Sequence, residues 1–256
     1  MEFEFINACE NGNIDTVKDL LSKGVDPSYD NNDAISWASE NGHLEIVKLL
    51  LNERNEDGIH RVDPSDRNNY AICWASEKGH TEVVKILLND KRVDPSACCN
   101  HAIRCASYNG HYEVAKLLLN NKRVDPSVKK NYAIRWASKY GHTKVVKLLL
   151  TDKRVDPSDY NNEAIRWASH NGHLDTVKLL LTDKRVDPSD HDNLAIRWAS
   201  RNEYHEVVKL LKSAIIIRTF HKLNKIVCIE RIKKFLLKRV VLRPGSVYVK
   251  RLVNSF

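Results

Sequence analysis

Between Asn131 and Ser158 the chain reads NYAIRWASKYGHTKVVKLLLTDKRVDPS, and its apolar positions fall into two short sets at helical spacing. Ala133, Ile134, Trp136 and Ala137 form one apolar face, opened by Asn131, a good helix N-cap residue. After Gly141, the residues Val145, Val146, Leu148 and Leu149 form a second face, while Lys144 and Lys147 turn outward as on an amphipathic helix. Asp156-Pro157-Ser158 then breaks the chain. Helices this short are marginal alone in water, so each pair must bury its apolar faces on a neighbour.

Near copies of this stretch precede and follow it. Asn32, Asn69, Asn100, Asn131, Asn162 and Asn193 mark one position in six successive units, at separations of 37, 31, 31, 31 and 31 residues. A fixed period of this size means a solenoid. Six of the nine glycines (Gly12, Gly42, Gly79, Gly110, Gly141, Gly172) fall in the turn inside a unit, and six of the seven prolines (Pro27, Pro64, Pro95, Pro126, Pro157, Pro188) fall between units. Turn chemistry and periodicity agree on an all-α stack of about seven helix pairs with projecting loops.

The two ends differ from the middle. Residues 1–30 keep the skeleton but carry Asn7 where later copies have Trp and Asp19 where they have Leu, the polar outer face expected of an N-terminal capping repeat. Residues 31–212 hold six repeats, the first with six extra residues around Asn52 to Arg61, a polar surface loop containing Asp57-Gly58. The last has Glu203-Tyr204 in place of Gly-His and no Asp-Pro-Ser after Leu211, so its second helix is expected to run on into residues 213–256, a basic C-terminal cap or extension. There Ile215, Ile216, Ile217, Phe220 and Leu223 are expected to cover the bare end of the stack. Beyond them Ile229, Ile232, Leu236 and Val240 line one helical face, and Arg231, Lys234 and Lys238 another. Arg243-Pro244-Gly245-Ser246 reads as a turn, and the VYVKRLV after it is open between strand and helix.

The net charge of +8 divides unevenly. Residues 213–256 carry eleven Lys and Arg against one acid, Glu230, a balance of +10 that leaves −2 for residues 1–212. The start, MEFEFINACENGN, is acidic and polar, so no secretory signal is expected, and no apolar run is long enough to span a bilayer. Of the six cysteines, Cys73 and Cys105 stand where other copies have Arg and Trp, which suggests reduced thiols and an intracellular setting, cytoplasmic or nuclear.

Trp136-Ala137-Ser138 through Gly141-His142, followed by Val145 to Leu149, resembles the L-A-A-x-x-G-H and V-V-x-x-L-L signature of ankyrin repeats, and the likeness extends over residues 1 to about 212. The departure lies at the first helix, where the family's T-P-L-H corresponds to Tyr132-Ala133-Ile134-Arg135, with Asn131 replacing Thr-Pro and Arg replacing the His that in the family helps tie adjacent loops. The DKRVDPS connector and AIRWAS helix are also similar to the ankyrin sets encoded by giant DNA viruses of amoebae, which implies a host protein partner in the host cell if the chain is viral. No Leu-Pro-led segment resembles the F-box-like C-termini of some such proteins.

The resemblance implies a monomeric, non-catalytic scaffold or adaptor that binds a protein through loop tips and the concave face of the first helices, with no cofactor. Where internal copies diverge, the partner-binding candidates are Tyr29, Arg67, Lys129, Lys130, Tyr160 and His191 at loop tips, and Tyr108, Lys139, Tyr140, His170 and Arg201 at helix ends; solvated drift is the alternative at each. Arg104, Arg135, Arg166 and Arg197 form a ladder that either receives an acidic partner or pairs with aspartates such as Asp125 and Asp156. His43, His80, His111, His142 and His173 read as turn-stabilising hydrogen-bonders rather than five bases. Cys98, Cys99, His101 and Cys105 lack zinc-finger spacing, and Cys105 takes a Trp position expected to face the core, which argues against zinc. No HExxH, paired CxxC, GxSxG or phosphate-loop pattern occurs. The tail basic candidates Arg231, Lys234 and Lys238 suit a nucleic acid or an anionic membrane, or simply the solvated side of a cap.

Overall fold

The computed structural model describes the backbone of residues 1–241, with side chains through Asn224 and those of Ile226, Val227 and Arg231 beyond it. Fourteen helices and no strand occur among these residues. They pair as α1 (Glu2–Glu10) with α2 (Ile14–Ser22), α3 (Tyr29–Glu40) with α4 (Leu44–Asn52), α5 (Asp66–Lys78) with α6 (Thr81–Asn89), and α7 (Ala97–Asn109) with α8 (Tyr112–Leu119). The series continues with α9 (Val128–Lys139) and α10 (Thr143–Leu149), α11 (Asp159–His170) and α12 (Leu174–Leu180), and α13 (Asp190–Arg201) and α14 (His205–Val241). The helix pairs stack in order, and the first helices pack on one another more closely than the second ones do.

One continuous core runs through the pairs. In the fifth unit it takes Ala133, Ile134 and Ala137 from α9, Val145, Val146 and Leu149 from α10, and Val155 from the connector, all essentially inaccessible. The isoleucine, valine and leucine side chains each contribute roughly 1.5–3 kcal/mol when removed from water. That stabilises a helix pair which would not persist alone. Lys144 and Lys147 are exposed, as the amphipathic pattern of α10 requires.

Asn131 corrects the N-cap reading. Lys129, Lys130 and Asn131 all lie in the left-handed region, at φ 53°, 56° and 55°, so a left-handed turn precedes the right-handed helix. The same three-residue turn stands in all six units that carry the marker asparagine. Asparagine tolerates this conformation better than most residues. The buried Asn131 side chain faces the next unit rather than its own helix: Oδ1 accepts from the backbone N–H of Asp156 at 2.8 Å, and Nδ2 donates to Asp159 Oδ2 at 3.0 Å. Asn32, Asn69, Asn100 and Asn162 accept likewise from Asp63, Asp94, Asp125 and Asp187. Asparagine therefore performs the loop-tying task that the resemblance assigned to histidine.

The histidine ladder makes a second tie. His142 Nε2 donates to the carbonyl of Tyr108 at 3.0 Å, and its ring lies against Gly110, where an added Cβ would come within 2.5 Å of Nδ1. Gly110 also has φ +79°, so glycine is required there on two counts. His43, His80, His111 and His173 repeat the bond to a carbonyl of the preceding unit at 2.8–3.0 Å, as hydrogen-bonders holding the turns. Tyr204 takes the ring's place against Gly172 in the last unit.

The run-on of α14 is as the sequence suggests, but of the five apolar residues expected to cover the end of the stack only Ile215 is half-buried. Ile216, Ile217, Phe220 and Leu223 are between 54% and 68% exposed. Arg218 makes the junction instead, donating to the carbonyls of Val186, Leu181 and Asp183. It repeats what Arg61, Arg92 and Arg123 do for Val25, Val62 and Val93 between earlier units. The extra loop after α4 closes as a small hairpin with one bridge, Arg54 to His60, around Asp57-Gly58. The turn at Arg243 to Ser246 and the VYVKRLV segment lie outside the described residues, as do the side chains of Ile229, Ile232, Lys234, Leu236, Lys238 and Val240.

Candidate partner-binding face

The repeating tryptophan does not face the core. On α9 the buried residues are Ala133, Ile134, Ala137 and Ser138, which leaves Tyr132, Trp136 and Tyr140 as a stripe at i, i+4 and i+8 beside the buried face. Trp136, Trp74, Trp167 and Trp198 are half-buried, and Trp37 is 37% exposed. Packing alone also produces such a repetition, so the recurrence of the tryptophans does not by itself mark an outward face. Their spacing was the available signal.

Around Trp136 several of the expected contact residues come together. Its ring is 5.5 Å from Tyr108, 5.3 Å from Tyr132 and 6.0 Å from Tyr140. Tyr108 and Tyr140 join through their hydroxyls at 2.9 Å, and this bond raises the Tyr108 phenol above its usual range. Lys139 Nζ lies between two indoles, 4.2 Å from the centre of Trp136 and 4.5 Å from that of Trp167. His170 meets Trp167 and Trp198 edge-on at 5.4 and 5.3 Å. At the loop tips, Lys130 Nζ is 5.1 Å from the Tyr160 ring, and Arg135 is 4.5 Å from it. Aromatic faces attract cations by their quadrupoles, which holds Lys139, Lys130 and Arg135 against these rings.

Other expected residues stand apart. Lys129 is exposed at its loop tip, Tyr29 lies at the N-terminal end of the face, and His191 and Arg201 lie at the C-terminal end. Arg67 is engaged in ion pairs with Asp30 at 3.1 Å and Asp33 at 2.6 Å. Burial lifts the Asp33 carboxyl above its usual range although Arg67 pulls it the other way. In the tail, Arg231 is exposed on α14, and Lys234 and Lys238 belong to the same helix.

The arginine ladder does not pair with Asp125 or Asp156. Arg104 donates to the carbonyls of Cys98 and Cys99, Arg135 to those of Lys129 and Lys130, and Arg166 to that of Tyr160. Each of these three arginines thus holds the left-handed turn of its own unit, whereas Arg197 makes no such bond among the described residues and is exposed. Arg135 also pairs through Nε with Glu163 of the next unit. Backbone carbonyls orient a guanidinium and leave its charge in place.

Cys98 and Cys99 are exposed, and Cys105 sits half-buried beside His101, 3.5 Å from its Nε2. Burial pushes the Cys105 thiol up to about 12 and those of Cys9 and Cys73 to about 12, which keeps them protonated and unreactive. Among the described residues no three His, Cys, Asp or Glu side chains converge as metal ligands, and no helix is long and apolar enough to cross a membrane.

The family model for ankyrin repeats (3 copies) matches in five overlapping registers, residues 5–97, 57–130, 73–162, 102–192 and 134–220. The chain belongs to the ankyrin-repeat family. No curated protein matches it. Ankyrin repeats generally mediate protein–protein contacts and are typically non-enzymatic scaffolds. In this ankyrin protein the outward side of the first helices has a distinctive chemistry, with a tryptophan in five of them and cations packed against the rings.

Proposed function

We propose that this ankyrin protein is a non-catalytic adaptor that binds a protein partner through the concave face of its first helices and the adjoining loop tips. The observation that carries the reading is the cluster of Tyr108, Trp136, Lys139, Tyr140, Trp167 and His170, large rings at contact distance from one another on the side of the stack away from the second helices. Rigid aromatic anchors interleaved with cations are the residue types that dominate interface energetics. Replacing Tyr108, Tyr140, Tyr160 and His170 together is expected to abolish partner capture while leaving the melting temperature within a few degrees of the parent. Undiminished capture would refute the reading.

The tail supports a second reading, association with nucleic acid or an anionic membrane. What favours it is the continuation of α14 past the stack with Phe220, Leu223, Ile226 and Val227 exposed beside Lys222 and Arg231. A basic amphipathic helix binds such surfaces with steep salt dependence. RNA and acidic-liposome binding that is lost on deletion of residues 213–256 would establish it, and equal binding by both chains would exclude it. The connector and helix sequences further support a viral chain acting as a monomer on a host protein in the host cytoplasm or nucleus. The protonated buried thiols suit a reducing compartment.

A further inference from the structure

Within the arginine ladder, one carboxylate of the chain itself meets a guanidinium. Glu163 accepts from Arg135 Nε of the preceding unit and, at 3.1 Å, from Trp167 Nε1, so the anion is held between a guanidinium and an indole N–H. Both groups recur one unit later as Arg166 and Trp198, whose ring centre lies 6.0 Å from the guanidinium. There the position of Glu163 is taken by Leu194, and Nε of Arg166 is buried with no acceptor. One unit earlier, Arg104 lies 5.2 Å from the ring of Tyr132 instead of beside an acid.

Charge along the face is divided in the same sense. Asp33, Glu40 and Glu77 lie on α3 and α5. Past the left-handed turns, the outward residues of α7, α9, α11 and α13 include Arg104, Arg135, Lys139, Arg166, Arg197 and Arg201, with Glu163 as the single acid among them. The body of the chain is slightly acidic, so this basic half arises from how the repeats place their charges and not from composition.

We infer that the face of α7, α9, α11 and α13 takes an acidic peptide segment that also carries aromatic or leucine side chains. Its carboxylates meet the guanidiniums as Glu163 meets Arg135, and its apolar side chains lie against the tryptophans. This rests on the adaptor reading and adds the chemical class of the partner. A nucleic-acid strand also offers anions and stackable rings, but the contact the chain makes internally is that of a carboxylate, which fits a peptide.

Short random peptides displayed on phage would be selected on the immobilised full chain, and the enriched ones titrated as synthetic peptides by tryptophan fluorescence. The enriched peptides are expected to be net negative. Their Kd should weaken about tenfold in Arg166→Ala, the scale of a partly exposed charged contact, and by a similar factor in Leu194→Glu, which places the chain's own carboxylate beside Arg166. Leu194→Gln, of matching size and no charge, should weaken it less, and circular dichroism melting would verify that each variant folds. Neutral or basic peptides that depend on Trp167 would overturn the acidic class and leave the adaptor reading standing. Peptides indifferent to every substitution on this face would overturn both. An oligodeoxythymidine that binds more tightly than the peptides and displaces them would assign the face to single-stranded nucleic acid and overturn the inference.

Discussion

Asn131→Gly separates two accounts of the marker asparagine. If Asn131 only capped its own helix, glycine would cost a few tenths of a kcal/mol and alanine about 1 kcal/mol. In the structure its side chain accepts the Asp156 N–H and donates to the Asp159 carboxylate, in a buried position between two units. Glycine removes both bonds but keeps the left-handed backbone. Leaving the Asp156 N–H without its acceptor costs about 1–3 kcal/mol, and the bond to the partly buried Asp159 adds about 1 kcal/mol. Asn131→Gly is therefore expected to destabilise by about 2–4 kcal/mol, and Asn131→Ala by about 1 kcal/mol more, because alanine is strained at φ 55°. The assay is urea unfolding of the full chain, with the midpoint compared at constant slope. Amide hydrogen exchange should show the loss concentrated at Asp156 and its neighbours, since each repeat couples mainly to the next. An Asn131→Gly protein within a few tenths of a kcal/mol of the parent would refute the inter-unit tie.

Three further outcomes follow from the same contacts. Gly110→Ala forces a Cβ against the His142 ring at positive φ and is expected to cost more than about 1 kcal/mol, with His142→Ala relieving the clash part in a double-mutant cycle. Burial holds the His142 imidazole below its usual pKa, with a smaller opposing effect from the Tyr108 carbonyl and reinforcement from His111 and His173. The unfolded chain therefore takes up that proton first. This contribution to stability is complete above the ordinary imidazole pKa and falls as pH drops toward the lower folded value, and His142→Gln should flatten that part of the stability profile measured by urea unfolding. Arg218→Ala should destabilise the last unit by about 1–3 kcal/mol, read as faster hydrogen exchange in α13, whereas Phe220→Ser should stay within about 0.5 kcal/mol.

The period, the helix pairs and the core-facing Ile134, Val145, Val146 and Leu149 were legible in the sequence because burial in a stack imposes the same spacing on every copy. The asparagine was legible as a marker but not in its role. A left-handed turn and a right-handed helix start both favour asparagine, and only the position of the next unit distinguishes them. The tryptophans were misplaced for a related reason. Trp136 is three residues from Ala133, near enough to the buried side to pass as core, and its i+4 relation to Tyr132 and Tyr140 identifies the outward stripe only once the neighbouring rings are seen to meet it. The arginine ladder presented two chemically reasonable partners, aspartate or ligand, and Arg104, Arg135 and Arg166 turned to backbone carbonyls instead. At the C-terminus, apolar residues at helical spacing suggested a cap, but Ile216, Ile217 and Phe220 lie on the exposed side of the helix, and Arg218 between them makes the link.

Docking of a partner protein on the face of the first helices is open to measurement. Site-specific photo-crosslinking tests it directly, with a benzoylphenylalanine placed in the full-length chain at Tyr140 on that face, at Lys147 on α10 or at Phe220 on α14. The account predicts a discrete crosslinked protein from position 140 that is absent from positions 147 and 220. Crosslinks of equal yield from position 147, or from position 220 alone, would contradict it.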